Sequence, residues 1–392
     1  MNQICTLRGH LNSISCIAQF NDSIVTGDDN GWIIWWNLNR RCPLGVWKGH
    51  DMVILTIKQI DDNYILTQSK DSEIRIWKLE GGLKSDLPDL KFNDIKYNDD
   101  LTELLEKYPM PEYNSIPINS LNYCNVDYLN GVLITPATTD SNNFDIYRVS
   151  HQDFGLERLV KNFNPHELYL KSNNIIEEIG NDKRDGFGIM MKIKFINDNY
   201  FYIGFESGHV LGFTINYPSA IESAKQSNKV SEKLIINREP KITIDYVNEF
   251  HVPNPIISME SFEDGIIVGA TQKYVSLHPS GKTINVKNNG IQSIVIKDKA
   301  YIGFWNGTVK VYDDQFIQIH KFERSLPNLH NVTTNINSNE LEVSTIKLST
   351  LQLFQPTPKN TTSSKSLVLN KRMGSNQLLI IGYNDGKLLV FS

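Results

Sequence analysis

Disulfide chemistry is missing from this sequence of 392 residues: its four cysteines, Cys5, Cys16, Cys42 and Cys124, form no CxxC pair and stand at no zinc-ligand spacing from a histidine pair. A disulfide scaffold and a structural zinc site are therefore excluded, and a reducing compartment, nucleus and cytoplasm, is expected. No apolar run approaches the roughly 20 residues that a bilayer-crossing helix needs. The opening stretch MNQICTLRGH has neither the charged region nor the apolar region of a signal peptide. No membrane span or leader is expected. A basic excess is also lacking, since the net charge is −5, so direct contact with nucleic acid is not expected. GxxxxGKS/T, GxSxG, HExxH and a dinucleotide fingerprint after a strand are all absent. The reading is of a non-enzyme with no catalytic residue, no metal ligand and no cofactor.

What the chain does have is an ordinary globular composition, 40% hydrophobic and 21% charged, and an internal repeat. Segments 23–38 (SIVTGDDNGWIIWWNL) and 64–79 (YILTQSKDSEIRIWKL) align without a gap at an offset of 41 residues. The dipeptides Gly9-His10 and Gly49-His50 precede them, 40 residues apart. A period of about 40–45 residues that opens on GH and ends on a Trp-bearing strand is the WD-repeat signature. A strand glycine followed nine residues later by a ring recurs five times, at Gly27/Trp36, Gly204/Phe213, Gly269/His278, Gly303/Tyr312 and Gly382/Phe391. Tight turns such as Ser207-Gly208, Asn306-Gly307 and Asp385-Gly386 join the two strands of each unit. With 64–79 and 131–149 added, the hairpins number seven.

An all-β, seven-bladed WD40 β-propeller over 1–392 follows as a single domain. Polar insertions are expected at about 80–115, 161–188, 216–245 and 323–365. The carboxyl end, KLLVFS, stops after the third strand of a blade, and NQICTL at the amino end precedes the first GH as an outer strand should. Pairing the amino-terminal strand with the carboxy-terminal blade would close the ring and hide its edges.

In WD repeats a loop His, a strand Ser/Thr, a turn Asp and a strand Trp form one hydrogen-bonded set. The second repeat carries all four, as His50, Thr67, Asp71 and Trp77. The first has His10, Thr26 and Trp36, with Asn30 where the aspartate is expected, so a weaker network is predicted there. The later blades lack the set and are expected to rely on apolar packing. Thr67, His50 and Asp71 also resemble a nucleophile, a base and an orienting group. Their order and spacing follow the fold's own repeat, so the structural role is preferred.

Candidate partner contacts are Trp32, Arg75 and Trp305 beside the hairpin turns, because aromatic and arginine side chains dominate interface energetics. Leu101 and Leu104 join them on a helix expected over 99–108 (DDLTELLEKY) and stopped by Pro109. The basic stretch 356–372 reads as a solvated loop or a contact for an acidic partner.

With LRGHLNSISCI (7–17), GDDNGWIIWWNL (27–38), KGHDMVILTI (48–57) and the IGYNDGKLLVF end in place, the chain resembles the fungal ASTRA-associated WD-repeat family. That resemblance implies a non-enzymatic subunit of the ASTRA assembly. It further implies links to chromatin regulation and to co-chaperone-assisted maturation of phosphatidylinositol-3-kinase-like kinases, with Tel/Tti helical-repeat proteins and other ASTRA subunits as partners. An adaptor propeller for a ubiquitin ligase or another multiprotein complex is the alternative. The WDxR end of such adaptors is replaced here by WNLN (36–39) and WKLE (77–80).

Overall fold

Burial along the chain sorts the strands by depth. Second strands such as Ser23–Asp28, Gly265–Ala270 and Leu378–Tyr383 are buried at every residue. They are covered on both faces, which is why they read as unbroken apolar runs. Fourth strands such as Tyr113–Pro117 and Gln318–Phe322 are largely exposed. The computed structural model describes residues 1–79, 110–119, 123–150, 155–175, 186–218, 239–324, 346–356 and 377–392. These form seven four-stranded antiparallel sheets in a ring, a seven-bladed β-propeller.

In each blade the strands run outward in chain order, and the first strands line the axis. Blade 1 spans Ile14–Lys48, blade 2 Ile54–Pro117, blade 3 Asp127–Phe163 and blade 4 Met190–Asn248. Blade 5 spans Ile256–Asn285 and blade 6 Ile291–Phe322. Blade 7 consists of Leu348–Phe354, Leu378–Tyr383 and Lys387–Phe391, and its outer strand is Gln3–Arg8 from the other end of the chain. The register there runs from Gln3 opposite Phe391 to Arg8 opposite Lys387. Leu7 is buried in one cluster with Leu388 and Val390, so the expected closure is the one found.

The recurring strand glycine has a packing reason. A Cβ on Gly27, Gly204, Gly269, Gly303 or Gly382 would come within 2.5–3.0 Å of Ile54, Ile256, Ile291, Leu348 or Ile14, respectively. Each of these is the first residue of the next blade's inner strand, so the glycine lets adjacent sheets approach closely. Blade 2 has Gln68 there instead. Its amide donates to the Cys124 carbonyl and accepts from the Val126 N–H, both at 2.8 Å. A hydrogen-bonded spacer thus replaces direct sheet contact.

All four of the stretches read as insertions contain blade strands, and Leu348–Phe354, within 323–365, is the inner strand of blade 7. Tyr113–Pro117, the end of Leu156–Phe163 and the start of Lys241–Asn248 are outer strands of blades 2, 3 and 4. Their solvated faces carry polar residues, so composition could not separate them from loops. After Phe163 a helix, α1, spans Pro165–Asn173, with the Asn164 side chain accepting from Glu167 N–H at its start. No helix among the described residues is long and apolar enough to cross a membrane.

Candidate interaction surface

Two of the repeat's polar sets are complete. In blade 2, His50 Nδ1 lies 2.9 Å from Asp71 Oδ2 and His50 Nε2 lies 2.7 Å from Thr67 Oγ1, which accepts from the Trp77 indole at 2.8 Å. Burial pushes the Asp71 carboxyl up, but hydrogen bonds from His50 and from the Asp51 and Glu73 N–H groups outweigh it and hold it below its ordinary value. In blade 1 the same distances recur at 2.9, 2.7 and 2.8 Å, with Asp28 as the acid.

Asn30 is therefore not the substituted aspartate. It is exposed in the turn, while Asp28 Oδ1 accepts from the N–H groups of Asn30 and Trp32. The carboxylate has moved two residues toward the strand and still reaches His10. Both side chains of the His10–Asp28 pair are 0% exposed, against 10% for Asp71, so the first network is no weaker in construction than the second.

Blade 5 builds a variant of the set. His251 Nε2 and His278 Nε2 each lie 2.7 Å from Ser276 Oγ, with Gln272 on His251 Nδ1 at 2.7 Å and Tyr246 on His278 Nδ1 at 2.8 Å. His278 stands where Trp36 stands in blade 1: it pairs with Ile266 as Trp36 pairs with Ile24. The hydroxyl has crossed from the second strand to the third. Burial pushes both histidines down to about 4. In blade 3 the buried Asp145 accepts from Tyr147 at 2.9 Å and from the Asn162 N–H at 2.6 Å. Apolar packing is therefore not the sole support of the later blades.

None of these sets has the access a hydrolase needs. Thr67 is fully buried, and its oxygen already accepts the indole N–H and faces the imidazole. The thiols of Cys16 and Cys124 are pushed up by burial to about 12, far from a reactive thiolate. Among the described residues no three His, Cys, Asp or Glu side chains gather as a metal site would require.

The candidate contacts divide. Trp32 is only 7% exposed and belongs to the core shared by blades 1 and 7, so it is no surface anchor. Arg75 is already committed: it donates to Glu73 at 2.7 Å within its blade and to the Gly49 carbonyl in the loop from blade 1 at 2.6 Å, and lies over the Tyr113 ring. Trp305 is 45% exposed, with its indole N–H donating to Gln292 at 2.8 Å. Leu101, Leu104, the helix expected over 99–108 and nearly all of 356–372 lie outside the described residues.

Strand direction alternates within a blade, so the turn between its second and third strands and the loop into the next blade share one rim. On that rim Leu11, Met52, Tyr123, Phe250 and Val252 are exposed together with Trp305. Sequence reasoning missed the first five. A signal was present: Leu11, Met52 and Val252 sit one or two residues beyond the loop histidines His10, His50 and His251. The imidazole turns into the blade, so the chain just beyond it turns outward.

At the axis, a channel is lined by inner-strand side chains that include Ser15, Lys58, Lys194 and Glu260. Lys58 pairs with Asp127 at 2.6 Å, and Lys194 pairs with Glu260. Burial alone would push Lys194 down and Glu260 up. Mutual attraction wins, holding the lysine above and the glutamate below their ordinary values.

The family described as ASTRA-associated protein 1 matches the chain over residues 3–391. Among its relatives, the ASTRA-associated protein 1 of Debaryomyces hansenii is 38% identical over 99% of both chains. That of Meyerozyma guilliermondii is 35% identical over 98% of both. The fold is also similar to the crystal structure of the WD40 β-propeller domain of Doa1. There the TM-score is 0.56 at 10% identity, covering 100% of this chain and 96% of that one.

Proposed function

The chain belongs to the ASTRA-associated protein 1 family, and we propose that it serves as a non-enzymatic scaffold that docks other ASTRA subunits on its loop rim. The full-length match at 38% identity carries the reading. Exposed apolar and aromatic side chains on that same rim support it, since such groups supply most of the binding energy at protein interfaces.

The finer reading follows from the family resemblance. Tel/Tti helical-repeat proteins are the proposed neighbours, and assisted maturation of phosphatidylinositol-3-kinase-like kinases and chromatin regulation are the proposed settings. Residence in nucleus and cytoplasm goes with them. Affinity purification at native expression, followed by mass spectrometry, tests this. A fixed set of co-purifying subunits, Tel/Tti proteins among them, is expected. Recovery of the chain alone contradicts the reading.

A further inference from the structure

Charge in the axial channel is matched by ion pairs, with one departure at its mouth. Lys192 lies two residues before the paired Lys194 on the inner strand Met190–Asn197, and it lines both the channel and the cavity at the loop rim. No carboxylate among the described residues pairs with it. Burial pushes its ammonium below the ordinary lysine value, and the group that acts on it electrostatically is the Cys124 thiol. That thiol is pushed up to about 12 and carries no charge at neutral pH. Among the described residues this half-buried cation has no counterion, an arrangement that costs stability.

The mouth is shaped as a site. Its cavity holds about 450 Å³, within the range of specific ligand pockets. Its charged lining consists of Lys192, Lys347 and Asp29, two ammonium groups against one carboxylate. Burial pushes Asp29 up, which weakens its hold on a negative charge. Two exposed aromatics, Tyr123 and Trp305, line the same cavity. Trp305 is fixed at its Nε1 by Gln292 and packs so closely on Gly290 that a Cβ there would stand 2.3 Å from the ring. The Lys70 ammonium lies 3.8 Å from the centre of the Tyr123 ring. The walls are preorganised, which lowers the entropic cost of binding.

We infer that this mouth binds an acidic segment of a protein partner, with an aspartate or glutamate carboxylate inserted between Tyr123 and Trp305 to meet Lys192. The inference rests on the scaffold reading and names the chemistry of the partner. Charge complementarity selects the occupant: the cavity carries a positive surplus, and a carboxylate would supply Lys192 with the counterion that Lys58 and Lys194 already have.

The test uses the full chain and labelled hexaglutamate, with hexaglutamine as control, followed by fluorescence anisotropy at low salt. Hexaglutamate should bind at least about tenfold more tightly than hexaglutamine. Lys192→Met should lose about tenfold, Lys192→Arg should keep most of the affinity, and Lys161→Met on the outer strand of blade 3 should change nothing. Because it removes an unpaired cation, Lys192→Met should melt at or above the wild-type temperature. If that variant does not fold, Tyr123→Ala and Trp305→Ala serve instead, each weakening hexaglutamate severalfold.

Equal binding of the two peptides, or unchanged binding by folded Lys192→Met, overturns the inference. So does Lys192-dependent binding of inorganic phosphate without binding of hexaglutamate, which would mark a free-anion site. Should the peptide result fail while native purification still returns fixed subunits, only this inference falls. A wild-type chain that purifies alone removes the scaffold reading whatever the peptide does.

Discussion

Asn2 and Ser392 exchange a pair of backbone hydrogen bonds, each amide donating to the other's carbonyl at 3.0 Å. These two bonds extend the ladder between Gln3–Arg8 and Lys387–Phe391 and make the closure of the ring a property of both ends of the chain.

Deleting residues 1–8 should therefore do more than trim a strand. It leaves Lys387–Phe391 as an open edge and exposes Leu388 and Val390, which Leu7 helps to bury. Loss of a single cooperative thermal transition is expected by calorimetry. The milder Leu7→Ala should cost about 2–5 kcal/mol and keep the transition intact.

Asp28 and Asn30 make opposite predictions. Asp28→Ala strands His10 and two turn N–H groups in a buried site, so a loss of about 3–5 kcal/mol is expected in denaturant titration. The Asn30 side chain is exposed, and Asn30→Ala should stay within about 0.5 kcal/mol of wild type. Equal losses would reinstate Asn30 as the acid's substitute.

The turn at Gly386 is the tightest point of closure that a single methyl can probe. Gly386 has φ +73°, and a Cβ there would lie 2.3 Å from the His10 carbonyl oxygen. Gly386→Ala should lower the melting temperature by more than its backbone preference of about 1 kcal/mol implies. The control Gly281→Ala, also at positive φ (+71°) but with nothing within 4 Å, should show only that preference.

Blade 5 should make the protein sensitive to mild acid. His251 and His278 are pushed down to about 4 by burial, whereas unfolded histidines take up protons near pH 6.5. Between those values the unfolded chain holds more protons, so stability falls as pH drops from about 6.5 toward 4. On the order of 1 kcal/mol per histidine should be gone by pH 5.5. In His251→Gln/His278→Phe, the slope of melting temperature against pH should flatten across that window.

What the sequence made legible follows burial. Second strands covered on both faces repeat their glycine and their apolar run, so Gly27, Gly204 and Gly382 could be aligned by eye. Outer strands such as Tyr113–Pro117 and Lys241–Asn248 have one solvated face and vanished into the polar stretches around them. Spacing alone misplaced the acid of the first network, because hydrogen bonding to His10 constrains position in space and Asp28 reaches it from two residues earlier. Blade 5 was opaque for a related reason: Ser276 and His278 occupy the third strand, where the repeat leads one to look for a tryptophan and to seek the hydroxyl elsewhere. Trp305 was found as a surface aromatic, but Trp32 was not distinguishable from it, since both lie at hairpin turns and only the packing of blade 7 against blade 1 buries the first.

The most direct test of a scaffold that docks through its loop rim compares two rims of the same molecule. Leu11→Ser/Tyr123→Ala/Trp305→Ala removes exposed side chains from the loop rim, and Ile317→Ser/Ile319→Ser removes them from the opposite side. Both variants, tagged at native expression and shown to melt as wild type, are purified and their co-purifying subunits quantified by mass spectrometry. The account predicts loss of fixed partners from the first variant and wild-type recovery with the second. Full recovery with the first, or loss confined to the second, would contradict it.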